Sequence, residues 1–133
     1  MTNVATCLMF VGDQCGKAEE AIERYVSAFE GGEVLEINRD AEGRVQFARF
    51  ALAGSELIAT DSAGPHQFGF TPATSLFTSF DDDESYERAL GVLGDDATIL
   101  MPDQAYPFAS RFCWLNDRYG VSWQLRMTSN ESA

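Results

Sequence analysis

Histidine occurs once in these 133 residues, as His66, and cysteine three times, as Cys7, Cys15 and Cys113. One imidazole cannot furnish a His-rich ligand set. Three thiols, odd in number and without a CxxC pair, exclude a disulfide framework and a Cys-type zinc site. Basic side chains are also scarce: nine Lys and Arg stand against 21 Asp and Glu, a net charge of −12. That sign repels phosphate backbones and anionic lipid surfaces, so neither nucleic acid nor membrane is an expected partner. No apolar run approaches the roughly 20 residues that span a bilayer. Residues 1–3 open without the charged n-region of a signal peptide, and the expected location is the cytoplasm. What is plentiful is core material, 45% hydrophobic and 12% aromatic residues, enough for one ordinary domain and too much for a disordered chain.

Along the chain, residues 5–11 form a short apolar run that ends at Gly12-Asp13 and reads as a strand. Ala18, Ala21, Ile22, Tyr25, Val26 and Phe29 then recur at helical spacing, with Glu19, Glu20, Glu23 and Arg24 on the other face. Gly31-Gly32 stops this helix. Three strand-like runs follow at 33–39, 45–52 and 56–61, joined by the turn-forming segments 40–43 and 53–55. A loop holding Gly64, Pro65, Gly69 and Pro72 divides the chain near its middle. Beyond it the order repeats: a strand at 74–80, a helix opened by Asp81-Asp82-Asp83 and carried by Tyr86, Ala89, Leu90 and Leu93, then strands at 97–101, 108–115 and 121–127. Asp81-Asp82-Asp83-Glu84 is read as a solvated helix cap, not a calcium cluster. The predicted organisation is a module at about 4–63, a linker at 64–73, a second module at 74–127 and a frayed tail at 128–133. Val11 is aligned with Phe80 as the end of the leading strand in each module. One helix and four strands cannot cover both faces of a sheet, so the two sheets are expected to share a core or a ligand hollow.

A βαβββ unit occurring twice in such a length resembles the vicinal oxygen chelate superfamily of glyoxalase I, extradiol dioxygenases and fosfomycin and bleomycin resistance proteins. Three segments are similar to its PhnB-like branch, often labelled "3-demethylubiquinone-9 3-methyltransferase". They are Phe10-Val11-Gly12 leading into Ala18-Glu19-Glu20-Ala21 and Tyr25, then Ala59-Thr60-Asp61-Ser62 with Phe68-Gly69-Phe70-Thr71-Pro72, and Trp114-Leu115-Asn116-Asp117-Arg118-Tyr119-Gly120-Val121-Ser122-Trp123-Gln124-Leu125. The resemblance implies an α+β fold of two glyoxalase-like modules, mixed sheets around a ligand hollow, and a homodimer. It carries no reaction with it, and no glycine-rich strand-to-helix loop of the nucleotide-binding kind supports the methyltransferase label.

Metal-dependent members of the superfamily place His or Glu on strands facing the hollow, because an ion with open positions needs fixed strong donors. On that frame Gln124 stands where the ligand glutamate would be, Ser75 and Thr6 stand where histidines would be, and Asp61 on the fourth strand is the one carboxylate. Such a set is poor for zinc, nickel or iron; no metal and no cofactor are expected. Thr6, Asp61, Ser75, Trp123 and Gln124 are instead read as a ligand-binding set for an unidentified small molecule. The alternative is a small-substrate enzyme, a lyase, an isomerase or the methyltransferase of the label, in which Asp61, His66 or Gln124 acts. His66 is the candidate general base. Cys15 precedes a helix but has only Lys17 near it in sequence, while Cys7 and Cys113 alternate within strands as wall or core.

Overall fold

The computed structural model describes residues 1–128. It consists of two compact units, the first ending at Gly69 and the second beginning at Phe70. Unit one contains β1 (Thr6–Phe10), α1 (Ala18–Ala28), β2 (Glu33–Arg39), β3 (Val45–Leu52) and β4 (Ser55–Asp61). Unit two contains β5 (Ser75–Phe80), α2 (Asp83–Leu93), β6 (Thr98–Tyr106), β7 (Ala109–Asn116) and β8 (Ser122–Met127). Each unit is a four-stranded sheet, in the orders β1-β4-β3-β2 and β5-β8-β7-β6. In both, the leading strand pairs parallel to the last, and the remaining pairs are antiparallel. These are the two βαβββ modules of a mixed-sheet α+β fold. No helix among the described residues is long and apolar enough to cross a membrane.

Each helix lies on one face of its own sheet because its apolar stripe demands cover. In α1 the stripe Ala18, Ala21, Ile22, Tyr25 and Ala28 is buried, and Tyr25 stacks on Phe50 of β3 at 6.3 Å. A Cβ at Gly32 would meet the Val26 carbonyl oxygen at 2.5 Å, so the chain leaves this helix through a glycine. In α2 the buried residues are Tyr86, Ala89 and Leu93. Its N-cap is Asp82, whose carboxylate accepts the Ser85 N–H at 2.8 Å, so the acidic run caps a helix. The β3–β4 hairpin turns through Ala53 (φ 50°) and Gly54 (φ 86°), two consecutive positive φ values that match the strand twist.

Most strand ends fall within one residue of the sequence expectation, and two differences have larger effects. Strand β6 runs on to Tyr106, through Pro102 and Asp103, with register shifts against β7 on both sides of Met101 and again after Gln104. A proline is tolerated there because β6 is an edge strand and its missing donor would face outward. The predicted frayed tail begins too early: Thr128 gives both its N–H and its hydroxyl to the Phe80 carbonyl, at 2.7 and 2.9 Å. The rest of that tail, 129–133, lies outside the described residues.

Candidate functional site

Strand alternation divides the second sheet into a face toward α2 and an opposite face. Leu76, Phe80, Cys113, Leu115, Trp123, Leu125 and Met127 have the α2 parity, shown by the edge-on contact of Phe80 with Tyr86. The opposite face is built in cross-strand rows: Ser75, Ser122 and Asn116, then Phe77, Gln124 and Trp114, then Ser79, Arg126 and Phe112. Ser122 ties the first two rows together. Its hydroxyl lies 2.7 Å from Ser75 Oγ and accepts the Trp114 indole N–H at 2.8 Å. Gln124, half-buried, sits between Trp114 and Phe77, and Phe77 is 53% exposed. This face therefore combines a fixed hydroxyl pair, an amide and aromatic surface, the inventory of a small-molecule site.

The residues named from sequence separate on this geometry. Ser75 and Gln124 share the face as diagonal neighbours. Trp123 points the other way: it is 1% exposed and donates its indole N–H to Asp117 Oδ2 at 3.0 Å, while Asp117 Oδ1 accepts the amides of Tyr119 and Val121. The whole segment from Asp117 to Trp123 is thus a self-bonded turn and anchor.

Thr6 and Asp61 belong to the first unit, where Thr6 pairs with Leu57 and Asp61 with Phe10. Thr6 has the parity of Leu8 and Phe10, which are buried beneath α1. The modules superpose with Phe10 on Phe80, since Phe10 pairs with Asp61 and Phe80 with Met127. Aligning Val11 with Phe80 slips the register by one residue and turns Thr6 onto the helix side. The first-module counterpart of Gln124 is Ile58, not Asp61, because Cys7 pairs with Ile58 as Phe77 pairs with Gln124.

Asp61 has a different occupation. Its Oδ1 accepts the Gly16 and Ala18 amides at 2.7 and 3.2 Å, and its Oδ2 accepts the Val45 amide at 2.8 Å. Lys17, the N-cap of α1, offers no side-chain cap, so Asp61 supplies it across 43 residues of sequence. His66 lies in the loop after β4, with Nε2 2.6 Å from Ser62 Oγ and its ring tilted on Phe68 at 4.8 Å. Desolvation pushes the Cys7 thiol above its ordinary range and pushes Cys113 up to about 11. Both are protonated at neutral pH and are poor nucleophiles.

These donors do not fit a catalytic transition metal. Asp61 is saturated by three amides, Thr6 is turned to the helix side, and Ser75 is engaged by Ser122. Among the described residues no three His, Cys, Asp or Glu side chains form a metal-binding group. The ligand set read from sequence omits Phe77, Trp114 and Ser122 on this face. Alternation by two from Gln124 was the signal that finds Ser122, and pairing with β7 the one that finds Trp114.

A protein-family profile described as 3-demethylubiquinone-9 3-methyltransferase matches residues 2–126. Among solved structures, a PhnB protein from Bacillus cereus carrying the same description is 42% identical, with a TM-score of 0.88, over 96% of this chain and 100% of that one. A glyoxylase/bleomycin resistance protein/dioxygenase domain from Frankia sp. EAN1pec is 14% identical with a TM-score of 0.65, covering 98% of this chain and 95% of that one. The fosfomycin resistance protein FosX from Listeria monocytogenes is 12% identical with a TM-score of 0.64, with the same coverage; these two share the fold. No curated protein matches the chain. By the profile and the Bacillus cereus relative, the chain belongs to the 3-demethylubiquinone-9 3-methyltransferase family, the PhnB-like branch of the vicinal oxygen chelate superfamily.

Proposed function

We propose that this chain is a small-molecule binding protein that works without a resident transition metal, as a homodimer in the cytoplasm. The ligand lies on the second sheet's face away from α2, with its polar atoms toward Ser75 and Gln124. One observation carries this reading: the Gln124 amide makes no hydrogen bond to a described residue, beside a Ser75–Ser122–Trp114 chain that is already fixed. A preorganised polar row with one free amide orients a ligand at little entropic cost. Asp61 and Trp123 serve this reading as positioning residues that hold the strands.

A thermal-shift screen against metabolites and metals tests it, since a ligand at 100 times its dissociation constant stabilises by about 2.7 kcal/mol. The expected result is a hit whose shift is lost in Gln124→Ala and is indifferent to chelator. A hit that survives Gln124→Ala moves the site elsewhere.

The Ser62–His66 contact at 2.6 Å favours a second reading, in which His66 is a general base for a small substrate. Turnover of a small substrate that disappears in His66→Ala while the fold is kept would support it. Against the methyltransferase of the family description stands the Asp61 carboxylate, which takes the α1 amides that a donor's carboxylate would use. Saturable binding of S-adenosylmethionine would reinstate it.

A further inference from the structure

Arg126 stands out among the arginines of this acidic chain. Arg39, Arg44, Arg49, Arg111 and Arg118 each pair with at least one carboxylate. Arg126, half-buried in the middle of the second sheet, makes no ion pair with a described residue, and its Nε is buried without a hydrogen-bond partner. Its cross-strand neighbours are Ser79 and Phe112 and its diagonal neighbours within the paired strands are Phe77, Trp114 and Ser110, none of them acidic, while Asp81, just past the end of β5, makes no ion pair with it. Among the described residues no carboxylate reaches this half-buried guanidinium, which marks a place where a partner is missing.

The surroundings say what kind of partner fits. Phe112 packs edge-on against Phe108 at 4.9 Å and faces Phe77 at 6.4 Å, and Phe77 and Phe108 are 53% and 51% exposed. A fork of N–H donors beside accessible aromatic rings matches a planar ring that bears an oxyanion: the guanidinium takes two oxygens in parallel, and the rings take the apolar body. We propose that Arg126 is the anion-receiving group of the ligand face, and that the ligand is a small aromatic oxyanion with a carboxylate or phosphoryl group on Arg126 and its ring against the exposed Phe77. This rests on the binding face proposed above and adds the charge of its ligand.

Isothermal titration of the full chain with 2-naphthoate, 2-naphthyl phosphate and the neutral isostere 2-naphthamide, at about 0.15 M salt, tests it. The expected result is that at least one anion binds about tenfold or more tightly than the amide. Arg126→Gln should abolish that preference, bringing the anions level with the amide, and Arg126→Lys should keep only part of it, because an ammonium lacks the fork. Ser79→Glu, which sets a carboxylate beside Arg126 from the paired strand, should abolish it too and covers the case in which Arg126→Gln does not fold. Whichever anion shows the larger preference identifies the oxyanion. Equal binding of anions and amide overturns the inference and leaves the ligand face standing. No binding of any probe, or amide shifts in the NMR spectrum confined to residues away from Phe77, Gln124 and Arg126, overturns both. A preference retained in Arg126→Gln, or a dimer that this variant dissociates with probe binding intact, overturns the inference and assigns Arg126 elsewhere.

Discussion

Asp61 accepts three backbone amides from two separate stretches of the first unit, Gly16 and Ala18 at the start of α1 and Val45 at the start of β3. Replacing it by alanine strands those donors in partly buried positions, at a cost of about 2 to 4 kcal/mol. Urea unfolding of Asp61→Ala measures this; a loss under about 0.5 kcal/mol would mean that water replaces the carboxylate freely. Trp123 is the corresponding anchor of the second unit. Its indole is 1% exposed and bonded to Asp117, so Trp123→Ala is expected to cost about 3 to 5 kcal/mol. The same denaturation experiment decides it, and a cost below about 1 kcal/mol would contradict the burial. Asp61 was visible in the sequence as the carboxylate that ends a strand, but its role was not. Its partners are main-chain amides, which every residue but proline carries, so no pattern of side chains announces them.

Between elements, the Asp103 carboxylate of β6 binds Arg111 of β7 through two hydrogen bonds, at 3.0 and 2.9 Å, and accepts the Tyr86 hydroxyl of α2 at 2.8 Å. Arg111 also lies over the Tyr86 ring at 4.3 Å. The Arg111 hydrogen bonds, helped by Tyr86, hold the Asp103 carboxyl below its ordinary range despite its desolvation. A carboxyl whose folded pKa is depressed contributes stability that is full above its unfolded value, about 4, and is lost as pH falls through the folded value. The urea midpoint of the native chain is therefore expected to fall more steeply below about pH 4 than that of Asp103→Asn; parallel curves would remove Asp103 from the acid response. The same strand shows why some of the fold was legible and some was not. Strands β2 and β3 were readable to the residue because turn residues bracket them. The second half of β6 was hidden, since Pro102 and Asp103 carry loop signals that only an edge position overrides. The one-residue slip at Thr6 has a related cause: Val11 is apolar and buried yet lies beyond the last paired residue, Phe10, so hydrophobicity marks the strand end one position late. At the start of β8 the Asp117–Gly120 turn fixes which residues face α2, so Gln124 and its neighbour Trp123 cannot share a face.

At the scale of the molecule, duplication was legible from the repeated order of elements, and what each module lacks follows from it. One helix covers one face of each sheet. The chain still exposes Met9, Val34, Leu35 and Phe47 in the first unit and Phe77, Ile99, Leu100 and Phe108 in the second. Apolar surface of this kind on a small chain favours association with a second copy, and a closed pair is the commonest outcome. The net charge opposes it: two chains of −12 repel at long range. The two terms respond differently to salt. Raising ionic strength from about 0.1 M to about 1 M shortens the screening length from about 10 Å to about 3 Å and removes the repulsion, while apolar contact is left intact or strengthened. Sedimentation velocity is therefore expected to show a species of twice 14.6 kDa at micromolar concentration, with a dimer dissociation constant that falls as salt rises. A dimer that loosens with salt would place opposite charges, not apolar side chains, at its centre. A 14.6 kDa species at every salt concentration would exclude the homodimer and leave each chain to cover its apolar faces alone.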